Sequence, residues 1–308
     1  MANWSLPMPT SIAAEALARR LIRRLLHLAR WCLPTALVWC AAAHADGRLA
    51  ATGGVTQIEG AAGGGLVPWA LIAGYDTRDE VRGDAFYTHA STQKFRLDAA
   101  GVAIGIHDRV ELSYAQDHFN LGGVVPGQTL TQDVFGAKWR VYGDALIDQD
   151  RLLPQIAIGA LYKRDHRFNG IPKALGAQHG SDIEPYLAAT KIWIDGPLGH
   201  VFLLDGTLRI TRANQFGLLG FGGAQGSSRC TCFETSAAWF ANDALAFGAE
   251  WRQKPNTLPG VTESAASDGF VAWIPNRHVA LVAAWLDLGT IAGQAHQRGP
   301  YLSAKLDF

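Results

Sequence analysis

The sequence lacks two features that define common classes of protein. After residue 45 it has no apolar run close to the roughly 20 residues that a membrane-spanning helix needs, although 48% of its 308 residues are hydrophobic. A helical membrane protein is therefore excluded. An excess of one charge is also missing: the 27 basic and 27 acidic side chains fall to 22 and 26 once residues 1–45, with five arginines and one glutamate, are set aside. Without a basic stripe, nucleic acid is not an expected partner.

Cysteine is scarce, and only Cys230 and Cys232 lie beyond residue 45. Side chains two residues apart in a strand point the same way, but a bridge between them would strain both the disulfide and the extended backbone. Neither a histidine nor a second cysteine pair accompanies them. The spacing therefore favours a role as small side chains, and we expect no metal and no other cofactor.

The first 45 residues have the three-part layout of a secretory signal peptide. Five arginines, beginning with Arg19 and Arg20, precede an apolar run over residues 31–43, and Ala43-His44-Ala45 forms a small-x-small cleavage site. We predict cleavage after Ala45. The paired arginines leave twin-arginine export open, but the continuation typical of such signals is absent, so general secretion is favoured.

The last eight residues alternate polar and apolar side chains. Leu302, Ala304, Leu306 and Phe308 fall on one face of a strand, and Ser303, Lys305 and Asp307 on the other. This segment resembles the C-terminal signal strand of Gram-negative outer-membrane β-barrels, which ends in an aromatic residue. The resemblance implies an outer-membrane location and recognition by the barrel assembly machinery, through an insertion signal made of Tyr301, Leu302, Leu306 and Phe308.

Turn-like stretches recur after each run of about ten residues, and they alternate in length. Short ones fall at residues 106–109, 148–151, 195–199, 242–243 and 275–277. Long polar or glycine-rich ones fall between them, at residues 120–129, 165–180, 213–229, 254–267 and 289–298. Transmembrane barrels have short periplasmic turns and longer outer loops, so the alternation indicates such a barrel.

The runs between these turns have one face free of charge and one that carries it. A charge at mid-bilayer on the lipid face costs about 2 to 4 kcal/mol, so the charged face is expected to point into the lumen. The lumen-facing candidates are Glu111, Lys138, Arg140, Lys163, Lys191, Asp205, Arg209, Glu250 and Arg252. Aromatic residues near the ends of the runs fit girdles at the two bilayer surfaces: Trp69, Tyr142, Tyr162, Trp193, Trp239, Trp273, Trp285 and Tyr301.

Counting back from Phe308 gives eleven strands, and residues 84–90 supply the twelfth. The sequence thus predicts an all-β protein, an antiparallel up-and-down transmembrane barrel of about twelve strands. Fourteen strands are the alternative, if residues 52–59 and 67–75 also pair into the wall. The predicted organisation is a signal peptide over 1–45, a glycine-rich N-terminal segment over 46–83, lumenal or forming first strands, and a barrel over 84–308.

Residues 52–69 form the most distinctive stretch, with glycines at 53, 54, 60, 63, 64 and 65. A phosphate loop is excluded because no Lys-Ser or Lys-Thr follows and no helical pattern begins. The glycines instead allow close backbone approach, in a tight turn or in a segment folded into the lumen. Together with the barrel pattern and the aromatic C-terminus, the stretch resembles an uncharacterised family of proteobacterial outer-membrane proteins, classified as a domain of unknown function. That resemblance implies a barrel and no particular activity.

Four kinds of function fit these features. A passive pore or uptake channel for small solutes is favoured because the predicted lumen carries both signs of charge, which would set solute preference. The alternative is a closed-lumen structural or binding barrel in which the same groups pair with each other. A hydrolase would need a catalytic cluster, for which Asp165, His166, His179 and Ser181 are the nearest candidates, and an adhesin would use the long loops. The expected partners are outer-membrane lipid, the assembly machinery and small solutes.

Overall fold

A computed structural model describes residues 54–74, 80–224, 226 and 228–308. The predicted signal peptide and its cleavage site lie outside these residues. Within the described ranges, no helix is both long enough and apolar enough to cross a membrane.

The described chain contains sixteen strands, one helical turn and two short 3-10 turns. The strands are β1 (Val55–Thr56), β2 (Ala62–Gly63), β3 (Val81–Ser91), β4 (Arg96–Ile106), β5 (Val110–Asn120), β6 (Thr129–Tyr142), β7 (Gln155–Asp165), β8 (Ala177–His179), β9 (Ser181–Trp193), β10 (Phe202–Thr211), β11 (Phe221–Gly223), β12 (Cys230–Asn242), β13 (Leu245–Arg252), β14 (Ala266–Asn276), β15 (Val279–Asp287) and β16 (Arg298–Asp307). The helical turn is α1 (Ile171–Ala174). The two 3-10 turns are Pro197–Gly199 and Asn214–Gly217.

Twelve of these strands form a closed antiparallel barrel. Neighbours in the wall follow chain order, and β16 closes it by pairing with β3, with Tyr301 opposite Ala90 and Asp307 opposite Asp84. The prediction of a twelve-stranded barrel is confirmed. The fourteen-strand alternative is wrong, because the segment expected to add strands does not join the wall: its β1 and β2 pair with each other. The first wall strand begins at Val81, three residues before the predicted start.

The wall shows the strict two-residue alternation of a strand with two different surroundings. In β16, Leu302 and Leu306 are 58% and 57% exposed, whereas Tyr301 and Lys305 are each 1% exposed. Outward positions on the other wall strands are filled largely by apolar side chains, such as Leu112, Leu208 and Phe247. A closed wall with this outer surface has no free sheet edge and is suited to contact with lipid.

Two of the aromatic residues assigned to the girdles lie elsewhere. Trp69 is buried because it belongs to the segment inside the barrel, and Tyr301 is buried because it is one residue out of phase with the outward-facing Leu302. Five of the predicted girdle residues are exposed on the outside, namely Tyr142, Tyr162, Trp193, Trp273 and Trp285.

The connections at the two ends of the barrel differ in length. One end has the tight turns 107–109, 243–244 and 277–278, and the other has the connections 121–128, 166–180, 212–229, 253–265 and 288–297. The stretch predicted as a short turn near 148–151 is instead part of a longer connection, 143–154. It is ordered by the carboxylate of Asp144, which accepts hydrogen bonds from the amides of Leu146 and Ile147 at 3.1 and 3.0 Å.

The outward face can be tested at Leu208, which lies well inside β10 with its side chain exposed. We expect Leu208→Arg to lower the free energy of unfolding from lipid by about 2 to 4 kcal/mol, because the guanidinium would face hydrocarbon. The measurement is reversible urea unfolding in liposomes. The control is Leu198→Arg, at an exposed turn position, which should change little. Equal effects of the two substitutions would contradict a lipid-facing wall.

Candidate functional site

The interior of the barrel is occupied by residues 54–74, which we call the plug. Every plug residue is buried. Its only regular structure is the β1–β2 pair, in which Val55 lies opposite Gly63 and Thr56 opposite Ala62. Apolar plug side chains, including Ile58, Leu66 and Trp69, belong to the same buried cluster as inward-facing wall residues. The plug is therefore packed into the barrel as part of its core.

Glycine is required where the plug folds tightly on itself and against the wall. A Cβ at Gly63 would lie 2.3 Å from the carbonyl oxygen of Val67, and one at Gly64 would lie 2.0 Å from Oε1 of Glu250. Real Cβ contacts are longer, so any larger residue would force the backbone or the carboxylate to move. This agrees with the close approach expected for the glycine-rich stretch.

The wall pair Glu111 and Lys138 binds the plug backbone at β2 and near the C-terminal end of the plug. The Glu111 carboxylate accepts hydrogen bonds from the amides of Ala62 and Ala73 at 3.1 and 2.8 Å. Lys138 Nζ donates to the carbonyls of Ala62 and Leu71 at 2.9 and 2.8 Å and to Glu111 Oε2 at 2.9 Å. All three protons of the ammonium group are thereby used, so this buried charge is fully satisfied.

Two further contacts hold the middle of the plug. Glu250 accepts hydrogen bonds from the amides of Leu66 and Val67 at 2.8 and 3.3 Å. Arg252 Nη1 donates to the carbonyl of Leu66 at 3.1 Å. Wall side chains thus bind backbone groups of the plug, in addition to contacts within the plug such as the hydrogen bond from Gln57 Nε2 to the Leu66 carbonyl at 2.6 Å.

Asp205 reaches the plug through two wall threonines. Thr190 Oγ1 donates to Asp205 Oδ1 at 2.5 Å and accepts from the amide of Ala70 at 2.7 Å. Thr207 Oγ1, 3.2 Å from Asp205 Oδ2, donates to the carbonyl of Pro68 at 2.9 Å. The carboxylate therefore orients hydroxyl groups that contact the plug.

The most concentrated charge in the barrel is a cluster of three cations and three carboxylates, which we call the ion cluster. It consists of Lys163, Arg209 and Arg252 with Glu59, Glu184 and Glu234. Their side chains are at most 3% exposed. Five members come from the wall, and the plug contributes the sixth, Glu59. The formal charges of the cluster cancel only when the plug is in place.

Glu59 is the centre of the ion cluster. Its Oε1 contacts Lys163 Nζ and lies 2.8 Å from Arg252 Nη2, and its Oε2 lies 3.3 Å from Arg209 Nη1. Burial alone would raise the pKa of Glu59, but the nearby charges of Arg252, Lys163 and Arg209 outweigh it and hold that pKa below its usual range. Glu59 is therefore ionised and bound by three cations.

Arg140 and Lys191 lie at the end with the tight turns, away from the ion cluster. Arg140 Nη1 is 2.9 Å from Asp108 Oδ2 and 3.3 Å from Asp144 Oδ2. Lys191 Nζ donates to the carbonyls of Asp148 and Gln149 at 3.2 and 2.7 Å. These two lumen-facing candidates hold the 143–154 connection across that end of the barrel.

The 212–229 connection lies over the ion cluster at the opposite end. Lys163 Nζ donates to the carbonyl of Phe216 at 2.9 Å, and the Phe216 ring stacks 4.3 Å from the Arg252 guanidinium. Lys254 Nζ donates to Gln215 Oε1 at 2.8 Å and to the carbonyl of Leu288 at 2.9 Å. Burial lowers the pKa of Lys254 to about 8, although nearby Glu263 partly opposes the shift.

Sequence reasoning placed nine charged residues on the lumen face, and all nine are buried inside the barrel. Inside the barrel they form hydrogen bonds or ion pairs with protein groups. Those that contact the plug directly are Glu111, Lys138, Lys163, Arg209, Glu250 and Arg252. Missed were Glu59, Glu184 and Glu234. One signal for Glu59 was available, because it is the only charged residue in the 52–69 stretch.

The residues considered for hydrolysis do not form one cluster. Asp165 is buried inside the barrel, whereas the next residue, His166, is exposed, with its Nε2 2.6 Å from Asp133 Oδ2. His179 lies in β8, opposite Phe221 of β11. Ser181 begins β9, opposite Arg164 of β7. Asp165 is the last residue of β7 and His166 begins the 166–180 connection, and the two side chains have different surroundings.

Solved structures similar to this chain are outer-membrane proteins. The NanC porin is 11% identical over 74% of this chain and 99% of that chain, with a TM-score of 0.43. LpxR from Salmonella typhimurium is 11% identical over 74% of this chain and 99% of its own, with a TM-score of 0.44. Outer membrane phospholipase A from Escherichia coli is 11% identical over 77% and 98%, with a TM-score of 0.38. No curated protein matches the sequence.

One family model matches residues 52–305, a span that contains the plug and nearly all of the wall. The family is described as a protein of unknown function, DUF3034. Because the match covers well over half of the sequence, the chain belongs to the DUF3034 family.

Proposed function

We propose that this protein is an outer-membrane channel for small solutes that is closed at rest by its plug. The apolar outer face of the wall supports a place in the membrane, and the charged inner face supports passage of water and solutes once the plug has moved. The signal-peptide layout of residues 1–45 and the alternating C-terminal strand support export, with cleavage after Ala45, and recognition by the assembly machinery of a Gram-negative bacterium.

The observation that carries the proposal is the way in which the wall holds the plug. Charged wall groups such as Glu111, Lys138 and Glu250 form hydrogen bonds with the plug backbone. Groups that would set selectivity in an open pore are therefore already occupied, which argues against passive diffusion at rest. Water could replace each of these hydrogen bonds, so a lumen without the plug would be wetted.

A second candidate is a permanently closed structural or binding barrel. The apolar side chains Val55, Ile58 and Trp69 favour it, because they pack in the buried core together with wall residues. Moving the plug would expose this apolar surface to water at about 25 cal/mol per Å². The two candidates differ in one measurable property, namely whether weakening the polar contacts of the plug opens a path.

The substitution Glu59→Gln tests whether the plug closes the channel. The amide carries no charge, so Lys163, Arg209 and Arg252 would keep ion pairs with Glu184 and Glu234 alone. Breaking a buried ion pair in this way costs about 3–5 kcal/mol. In planar lipid bilayers we expect the unchanged protein to be silent and Glu59→Gln to show discrete conductance steps. The control is Asp150→Asn, an exposed loop position, which should remain silent.

The outcomes separate the alternatives. Steady conductance by the unchanged protein would mean that the plug does not close the barrel. Silence of Glu59→Gln, with folding shown by its faster migration in an unheated gel, would favour the permanently closed barrel.

The Glu111–Lys138 pair gives an independent test of how the plug is held. Lys138→Met leaves the Glu111 carboxylate buried without its cation, and we expect a loss of about 3–5 kcal/mol in the free energy of unfolding. Adding Glu111→Gln should restore part of this loss because the unpaired charge is removed. Urea unfolding of both single variants and the double variant measures the coupling. Additive effects would contradict a direct role of the pair.

A further inference from the structure

We propose that Lys163, Arg209 and Arg252 form a carboxylate-binding site on the barrel wall, occupied at rest by Glu59 and available to a carboxylate-bearing solute when the plug moves. The solute class rests on the proposed gating, whereas the binding site itself does not. In the resting protein, the Glu59 carboxylate stands in for the carboxylate of the solute.

The three donors belong to the wall, so they stay together when the plug leaves. Lys163 lies on β7, Arg209 on β10 and Arg252 on β13. Together they contact both oxygens of the Glu59 carboxylate, Lys163 and Arg252 at Oε1 and Arg209 at Oε2. Guanidinium and ammonium groups converging on one carboxylate are the arrangement that proteins use to recognise such anions.

Other wall residues fix the donors independently of the plug. Arg209 Nε lies 2.6 Å from Glu234 Oε1, Lys163 Nζ lies 2.7 Å from Glu184 Oε2, and Arg252 Nε lies 3.4 Å from Glu234 Oε1. Aromatic rings stack on two of them, with Tyr186 5.4 Å from the Arg209 guanidinium and Phe216 4.3 Å from that of Arg252. The site is therefore pre-organised, which reduces the entropy that a bound anion loses.

The charge of the wall selects the sign and the size of the ligand charge. Without Glu59, the three cations keep ion pairs with two carboxylates, Glu184 and Glu234, which leaves one net positive charge among the paired groups of this buried site. An unpaired buried charge is costly, so the site favours an anion and opposes a cation. One carboxylate restores neutrality, as Glu59 does at rest. The structure thus assigns to this site a preference for monocarboxylates.

Chemical rescue tests the site without requiring the channel to open. Glu59→Ala removes the carboxylate and leaves a space beside the three cations, so its midpoint of thermal unfolding should fall. Sodium formate or acetate should raise this midpoint by several degrees, whereas sodium chloride at the same ionic strength and acetamide should not. If the variant refolds poorly in chloride, its refolding yield in formate is the readout.

Two control variants make the rescue specific. Glu59→Gln fills the same space with a neutral amide whenever the plug is seated, so formate should stabilise it much less than it stabilises Glu59→Ala. Glu250→Ala removes another buried carboxylate, whose plug contacts are the amides of Leu66 and Val67, and formate should restore it far less. Rescue of Glu59→Ala by formate and acetate alone supports the site. Equal rescue by chloride or acetamide overturns the proposed site. A failure of formate and acetate to stabilise Glu59→Ala overturns it as well.

Selectivity of the opened channel links the site to transport. Under a potassium chloride gradient, the reversal potential of Glu59→Gln should indicate preference for anions, and added acetate should reduce the chloride current. A cation-selective current would overturn the assignment of carboxylate solutes. A silent channel combined with successful formate rescue would overturn the gating proposal and leave the binding site standing.

Discussion

Neutralising charge inside a closed wall is the constraint on which this structure depends. Three cations project into the barrel from β7, β10 and β13, and none of them is accessible to bulk water. Taking such groups out of water costs several kcal/mol each unless opposite charges and hydrogen bonds surround them. Glu184 and Glu234 supply two of the three charges required, and only Glu59 of the plug completes the balance. The buried charges of the ion cluster are therefore balanced only when the plug is bound inside the folded wall.

The plug is an irregular backbone segment in a buried place, so its amides and carbonyls also need hydrogen-bond partners. It has two strands of two residues each, so most of its amides and carbonyls have no ladder partner. Buried backbone groups need partners of some kind, and here hydrogen bonds within the plug supply some of them and wall side chains supply others. Glu111 and Glu250 accept from plug amides, and Lys138 donates to plug carbonyls. Close backbone approach at Gly63 and Gly64 makes these contacts geometrically possible.

The wall could be predicted from the sequence because a strand repeats every two residues and turns interrupt it at regular intervals. That period places Glu250 and Arg252 on one face and Trp251 on the other, and the structure buries the first two and exposes the third. The plug has no such period, so neither its path nor the partnership of Glu59 with residues more than a hundred positions away could be deduced. Trp69 was misplaced for the same reason, since its surroundings depend on tertiary contacts alone.

In the proposed channel, the ion cluster would couple closing of the barrel to recognition of the solute. The same three donors cannot bind Glu59 and a solute carboxylate at once, so every solute bound to the wall opposes the return of the plug. A ligand shifts such an equilibrium only by the difference in its affinity for the two states. Here that difference is large because the resting state offers no free donor at the site. By linkage, plug residues that strengthen the contact of Glu59 must weaken solute binding by the same factor. In the proposed channel, selectivity and gating would then be consequences of one set of contacts.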